Sequence, residues 1–152
     1  MFSPHLKSVR TKSLRQGDHV AVRRSAGYTH HGIYVSEERV IHFSDERGLA
    51  RKSSARVVAT SLDFFLAGGD PVLRVHRRRS NPNKIVERAE AILAGSRRWR
   101  PYGLVHNNCE HFASYCATGK RRSEQVRRVA AATATFTAMT VGAVAAARRR
   151  RT

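Results

Sequence analysis

The chain has 152 residues, which is enough for one domain with a sizeable hydrophobic core. Lysine and arginine number 29 against 11 acidic residues, and the formal charge of +18 suggests an anionic partner, either nucleic acid or an acidic membrane surface. Residues 1–12 contain several basic residues and no apolar run, so no secretory signal peptide is expected.

Runs of β-branched and aromatic residues predict an antiparallel sheet in the first half of the chain. The predicted strands are 19–24, 29–36, 39–44, 56–60 and 72–76. A tight turn at Glu37 and Glu38 predicts that the second and third of these strands form a hairpin.

The hairpin carries two histidines near its open end, His30 and His42. A turn centred on Glu37 and Glu38 would place His42 opposite Ile33, about 10 Å along the strands from His30. Hairpin geometry alone therefore does not predict that the two imidazoles meet.

A helix is predicted to begin at Asn81 and Pro82, because asparagine is a good N-cap and proline suits the first helical position. Its apolar stripe ends at Gly95.

A second helix is predicted to begin at Cys109, after the N-capping residues Asn107 and Asn108, and to end at Gly119. A thiol on a first helical turn lies among unpaired backbone N–H groups and the positive end of the dipole, which favour the reactive thiolate. Cys109 is therefore a candidate nucleophile. The alternative is a small, buried apolar residue.

The other cysteine, Cys116, is seven residues further along the same helix. Two helical turns separate the two thiols by about 10 Å, which is too far for a disulfide. Free thiols and a reducing, cytoplasmic compartment are expected.

The tail differs in composition from the rest of the chain. Residues 120–128 are strongly basic, residues 129–147 carry no charge, and residues 148–151 are all arginine. Nineteen helical residues span about 28 Å, close to the thickness of a bilayer core. The composition is mostly alanine and threonine, so an interfacial helix is the alternative to the expected membrane-embedded anchor.

A cysteine nucleophile needs a base and a group that orients the base. His111 lies two residues from Cys109 on one helix and does not face it. His106 precedes the helix. His30 and His42 lie on the strands against which the helix is expected to pack.

Three segments together resemble the LRAT (lecithin:retinol acyltransferase) domain family, which includes the HRAS-like suppressor phospholipases and acyltransferases. They are Tyr28 to Val35 (YTHHGIYV), Val40 to His42 (VIH) and Tyr102 to Cys116 (YGLVHNNCEHFASYC). The resemblance covers most of residues 14–119. It implies an α+β fold of the permuted papain-like, NlpC/P60 type, in which an antiparallel sheet packs against the helix that carries the cysteine.

The same resemblance implies site residues and a reaction. Cys109 is the implied nucleophile, His30 the general base and His42 the residue that orients the base. The implied reaction transfers an acyl chain from a glycerophospholipid to the cysteine as a thioester, and then to water, an amine or an alcohol. It uses no cofactor and no metal.

Two departures from the family pattern matter. No counterpart of the retinol-specific insertion is present, so retinol is not expected as the acyl acceptor. His31 follows the implied base at a position where relatives often carry an aromatic residue, so contacts near the reacting atoms are expected to differ.

Three alternatives stay open. One is a cysteine peptidase or amidase of the NlpC/P60 class, with the same catalytic residues and an amide substrate. Another is a nucleic-acid-binding protein, which the charge supports but no motif does. The third is a zinc site formed by Cys109, His111 and Cys116, whose spacing lacks the usual paired ligands.

The predicted organisation has three parts: an N-terminal arm (1–13), an LRAT-like catalytic domain (14–119), and a basic linker with a C-terminal hydrophobic helix (120–152). The expected partners are a phospholipid substrate and an anionic membrane surface, to which the C-terminal helix attaches the protein. Nucleic acid is not expected as a partner, and the protein is expected to be a monomer.

Overall fold

A computed structural model of the protein describes residues 6–24, 27–44, 55–101, 108–124, 126–127 and 130–131. In these residues the strands are β1 (Leu6–Ser8), β2 (His19–Arg23), β3 (Thr29–Ser36), β4 (Arg39–Ser44), β5 (Arg56–Thr60) and β6 (Pro71–Arg74). The helices are α1 (Leu62–Leu66), α2 (Pro82–Leu93) and α3 (Cys109–Thr118), and Thr11–Ser13 is a 3₁₀ turn.

The strands form a single antiparallel sheet in the order β1-β6-β2-β3-β4-β5. The predicted α+β class with an antiparallel sheet is therefore confirmed. Leu6–Ser8, in the predicted N-terminal arm, pairs with β6 at one edge of the sheet.

The two longer helices begin where their capping residues predict. The Asn81 side chain accepts a hydrogen bond from the Lys84 N–H, and Pro82 is the first residue of α2. The Asn108 side chain accepts from the His111 N–H, which makes Asn108 the N-cap of α3. Gly119 ends α3 in a left-handed conformation, with φ of 76°, that glycine adopts without strain.

Each face of the sheet carries its own core. On one face α3 and α2 pack over Ile33 and Ile41, with Phe112 fully buried between them. On the other face Phe65 of α1 packs over Val20 and Val40. Because side chains alternate along a strand, β3 directs Thr29, His31 and Ile33 to the α3 face, and His30, Gly32 and Tyr34 to the α1 face.

The β3–β4 hairpin differs from its predicted register by one residue. His42 lies opposite Gly32, not Ile33, because a β-bulge between Tyr34 and Ser36 inserts an extra residue beside the turn. His30 is then a diagonal neighbour of His42 on the same face, within reach of long side chains.

The chain divides into two compact units, residues 1–122 and 123–152. The first holds the sheet and the three helices. In the second, the Arg127 N–H donates to the Ser123 carbonyl at 3.2 Å, closing one helical turn.

The described residues include no helix that is both long enough and apolar enough to cross a bilayer. This finding contradicts the prediction that a C-terminal helix attaches the protein to a membrane, and that prediction is wrong. The prediction relied on length: residues 129–147 are long enough to span a bilayer, but they are mostly alanine and threonine, with no leucine or isoleucine, and are only weakly hydrophobic. Apart from residues 130 and 131, the segment 129–147 lies outside the described residues.

Candidate active site

The N-terminus of α3 fixes the position of Cys109. Asn108 and His111 form a capping box, in which the Asn108 N–H also donates to His111 Nδ1 at 3.4 Å. The Cys109 side chain is buried, and its Sγ donates a hydrogen bond to the carbonyl oxygen of Thr29 at 3.9 Å. Helix α3 therefore delivers the thiol to the first residue of β3.

The cysteine sulfur lies where the hairpin opens. The Arg24 N–H donates to the Tyr28 carbonyl across β2 and β3 at 2.9 Å, so even-numbered residues of β3 direct their backbone groups to β2. Thr29 directs its carbonyl to the other side, towards β4. The β3–β4 pairing extends only as far as Gly32 and His42, so Thr29 lies beyond its last pair. The sulfur is thus level with the backbone of the sheet, at a gap in the sheet.

Burial affects the pKa of the Cys109 thiol more strongly than the helix N-terminus does. Desolvation raises the pKa of the thiol to about 11, although backbone N–H groups of His31, Glu110 and Cys109 favour the thiolate. The negative charge of Glu110 raises the pKa further. The predicted depression of the thiol pKa is therefore wrong. Both cysteines are free thiols, and burial also raises the pKa of Cys116.

His30 and His42 do meet, in a hydrogen-bonded chain that has a direction. His30 Nε2 lies 2.9 Å from His42 Nδ1, and His42 Nε2 lies 2.9 Å from the Thr60 hydroxyl oxygen. The Thr60 hydroxyl donates to the Ser61 carbonyl at 3.3 Å, so it accepts from His42 Nε2–H. His42 Nδ1 then accepts from His30 Nε2–H, and His30 Nδ1 carries the lone pair.

The surroundings of the two rings keep them neutral. Both contact the ring of Phe65, at centroid distances of 5.1 Å for His30 and 5.2 Å for His42. Burial lowers the pKa of His42 to about 4, with a smaller effect from Arg24. Burial, then His42 and Arg24, holds the pKa of His30 well below its usual value. A neutral imidazole can accept a proton at pH 7, as a general base must.

Of the three predicted site residues, the structure joins two, His30 and His42, and places Cys109 against the residue before His30. His30 and His42 are joined directly, whereas Cys109 makes its described hydrogen bond to Thr29, the residue before His30. No hydrogen bond in the described part of the chain joins Cys109 to either histidine. His106 and Asn107 lie outside the described residues.

Sequence reasoning missed Arg24 and Thr60. The Arg24 guanidinium donates to the carbonyls of Leu66 and Phe65 at 2.8 and 2.6 Å, which fixes a positive charge beside His30 and His42. Both residues contact the site through tertiary packing, and no local motif marks either one.

A second row of imidazoles crosses β3, β2 and the end of β6 on the α3 face. His31 Nδ1 lies 2.9 Å from His19 Nε2, and His19 Nδ1 lies 2.9 Å from His76 Nε2. Burial is the main cause that lowers the pKa of His19 and of His31, the latter to about 4.

Within the described residues, no three His, Cys, Asp or Glu side chains are grouped as metal ligands. Cys109, His111 and Cys116, the ligands of the alternative zinc site, are therefore not grouped around one point.

The family model of lecithin retinol acyltransferase matches residues 12–122 of the chain. The chain belongs to the LRAT family. This confirms the resemblance predicted from the His30, His42 and Cys109 segments, and the matched residues are close to the predicted 14–119.

The LRAT chain is also similar to individual proteins over about three quarters of its length. It is 35% identical over 126 residues to phospholipase A and acyltransferase 2 of Homo sapiens, covering 74% of this chain and 75% of that protein. It is 33% identical to lecithin retinol acyltransferase of Bos taurus and to protein LEAD-SENSITIVE 1 of Arabidopsis thaliana, covering 74% and 70% of this chain and 58% of each relative. The family and the names of these relatives support the predicted class of activity, a phospholipase or acyltransferase.

Proposed function

We propose that this LRAT-family chain is a phospholipase A and acyltransferase that forms a thioester between Cys109 and an acyl chain of a glycerophospholipid. One observation carries the assignment of the base: the chain Ser61–Thr60–His42–His30 leaves the lone pair on His30 Nδ1. The cysteine sulfur is bonded to the carbonyl of the neighbouring residue, Thr29.

In the acylation step, the Cys109 sulfur forms a bond to the ester carbonyl carbon as His30 Nδ1 takes the thiol proton. The tetrahedral intermediate collapses by breaking the bond to the glycerol oxygen, and His30 gives that oxygen the proton, releasing a lysophospholipid. His42 stabilises the imidazolium by accepting from His30 Nε2–H, and Thr60 keeps His42 in the tautomer that can accept.

In the second step, water, an amine or an alcohol attacks the thioester carbonyl, and His30 takes its proton and returns it to the sulfur. The backbone N–H groups of Cys109 and Glu110 already face the cysteine sulfur closely enough to favour its anion. In the reaction they are the candidate donors to the oxyanion of each tetrahedral intermediate.

The raised pKa of the Cys109 thiol implies that the thiol loses its proton only after the substrate ester has bound. With a pKa of about 11, the resting site holds a neutral thiol and a neutral imidazole, rather than a thiolate and an imidazolium. The proton therefore moves from sulfur to nitrogen when the ester is in place. This limits the reaction of the free enzyme with other electrophiles.

We also propose that the fold is the permuted papain-like arrangement, with a catalytic domain at 14–119 and a separate C-terminal part at 120–152. The phospholipid substrate would be drawn from an anionic lipid surface, which fits the net charge of +18.

Intact-protein mass spectrometry after incubation with mixed vesicles of phosphatidylcholine and phosphatidylglycerol tests the proposal. A mass increase of one acyl chain is expected in the native protein and in Cys116→Ser, and no increase in Cys109→Ala. Lysolipid release should be abolished in Cys109→Ala and His30→Ala. It should also be lost in His42→Ala, which is expected to show the smallest reduction of the three. Full lysolipid release by Cys109→Ala would remove the catalytic assignment. Peptide cleavage without lysolipid release would favour the NlpC/P60 peptidase instead.

A further inference from the structure

A cluster of exposed cations lies beside the aromatic residues of α3, outside the machinery described above. The exposed cations of two segments form what we call the basic face: Arg97, Arg98, Arg100, Lys120, Arg121 and Arg122. No acidic residue occurs between Glu90 and Glu110 or between Glu110 and Glu124, and Glu110 is buried. The basic face therefore contains no acid from its own segments.

Aromatic packing brings the two segments together. The Arg121 guanidinium lies 4.2 Å from the centroid of the Trp99 ring and 5.9 Å from that of Tyr115. Arg97 donates to the Tyr115 hydroxyl at 2.7 Å. Stacking and hydrogen bonding thus hold both arginines in place while they keep their charge.

The aromatic platform is anchored in the core next to the candidate nucleophile. Trp99 packs edge-to-face on Phe112, at a centroid distance of 5.6 Å, and Phe112 is one helical turn from Cys109. Tyr115 is six residues from Cys109, about 9 Å along a helix. The basic face is therefore attached to the same helix and the same core cluster as Cys109.

The chemistry of the basic face favours lipid phosphates over nucleic acid. Base stacking requires an open aromatic ring. Arg121 lies over the ring of Trp99, and Phe112 and Tyr115 contact the same ring, at 5.6 and 5.4 Å. What the surface presents outward is the positive charge of exposed arginine and lysine side chains, which bind phosphate oxygens.

We propose that the basic face, built on Trp99, Arg97 and Arg121, docks the first unit of the chain onto an anionic phospholipid surface. This inference rests on the proposed function, because it names the surface from which the phospholipid substrate would be drawn. It does not involve the C-terminal segment.

Trp99 is the only tryptophan in the chain, so its fluorescence reports on this surface alone. The full-length protein is titrated with vesicles of phosphatidylcholine and phosphatidylglycerol that contain a headgroup-labelled quenching lipid. We expect quenching of Trp99 that weakens with salt, and none with vesicles of pure phosphatidylcholine. In Arg97→Gln/Arg121→Gln the vesicle concentration for half-maximal quenching should rise roughly tenfold or more.

The matched control is Arg77→Gln/Arg78→Gln, which removes the same charge from two exposed arginines elsewhere and should leave the quenching curve nearly unchanged. Unchanged thermal unfolding would show that each variant is folded. Two results would overturn the proposal: sedimentation with anionic vesicles without Trp99 quenching, or Trp99 quenching by a single-stranded oligonucleotide but not by vesicles.

The docking surface and the thioester mechanism can be tested independently. Cys109→Ala should show the same quenching of Trp99 by anionic vesicles as the native protein, because the basic face does not include the thiol. Quenching without an acyl adduct on the native protein would leave the docking surface intact and refute the thioester mechanism.

Discussion

The hydroxyl of Thr60 lies 2.9 Å from His42 Nε2 and donates to the Ser61 carbonyl. When the Thr60 hydroxyl donates to Ser61, it accepts from His42 Nε2–H, and His42 Nδ1 then accepts from His30 Nε2–H. This tautomer of His42 makes His30 Nδ1 the basic nitrogen. The direction of proton transfer is therefore set at β5, two strands away from the strand that carries the proposed base.

Replacing Thr60 by valine removes the hydroxyl and keeps the shape of the side chain. His42 Nε2–H then has no acceptor, which favours the other tautomer of His42, with the hydrogen on Nδ1. That tautomer donates to His30 Nε2, so the hydrogen of His30 moves to Nδ1 and this nitrogen is no longer basic. We expect kcat for lysolipid release to fall roughly tenfold to a hundredfold, with KM little changed. Steady-state kinetics on mixed vesicles of phosphatidylcholine and phosphatidylglycerol measure both.

Thr60→Ser is the control, because it restores the hydroxyl and should recover most of the rate. Equal losses in the serine and valine variants would mean that Thr60 acts through packing, and not through the His42 tautomer.

The sequence predicted the parts of the site that depend on local signals. Asn81, Pro82 and Asn108 define the starts of α2 and α3 through capping, which involves neighbours in the chain. The hairpin follows from its β-branched residues and charged turn. The strand Leu6–Ser8 was missed because three residues carry no pattern, and its structure depends on pairing with the distant β6.

The electrostatics of the site could not be predicted in the same way. A helix N-terminus at Cys109 predicts a depressed thiol pKa, and the local N–H groups do act in that direction. The opposite result arises from burial, which depends on how α3 packs on β3. Thr60 and Arg24 reach the histidines by the same kind of long-range packing, and no spacing in the sequence reveals it.

The raised pKa of Cys109 predicts slow alkylation at neutral pH. In Cys116→Ser without lipid, the rate of reaction with iodoacetamide should rise about tenfold for each pH unit from pH 7.5 to 9.5, because the thiolate fraction grows in proportion up to a pKa of about 11. Mass spectrometry of time points gives the rate. A rate that levels off near pH 7 would show a thiolate already present and would contradict the neutral resting site.

The buried histidines predict a loss of stability in mild acid. His31 and His42 have folded-state pKa values of about 4, below the ordinary value of 6.5, so the folded state binds fewer protons than the unfolded state between these limits. Their contribution to stability is complete above pH 6.5 and is lost as the pH falls towards 4. From pH 7.5 to pH 5 the free energy of unfolding should fall by roughly 2 kcal/mol per buried histidine.

Guanidinium chloride unfolding at the two pH values tests this prediction. His31→Gln should unfold at a midpoint that depends less on pH than in the native protein, because one proton-binding group is removed. The same midpoint at pH 5 and pH 7.5 in the native protein would contradict the depressed pKa values.

Gly32 provides the space in which the paired histidines and Phe65 pack. A Cβ atom there would lie 2.9 Å from Val40 Cγ1, 3.0 Å from Phe65 Cε2 and 3.1 Å from His42 Cβ. Gly32→Ala should therefore destabilise the protein by about 1–3 kcal/mol and displace His42. Chemical denaturation measures the loss. In a double-mutant cycle, Phe65→Leu should offset part of it, whereas additive effects would show that the clash is not with Phe65.

Arg24 is expected to bind the phosphate of the substrate, because its guanidinium is fixed beside His30 and His42 by the Phe65 and Leu66 carbonyls. In Arg24→Gln, KM for a phospholipid should rise roughly tenfold, since a hydrogen bond to a charged group is worth about 1.5–3 kcal/mol. KM for an uncharged ester of the same chain length should stay within about twofold, because that substrate offers no phosphate to the arginine. Equal increases for both substrates would mean that Arg24 supports the fold of the site and does not contact the phosphate.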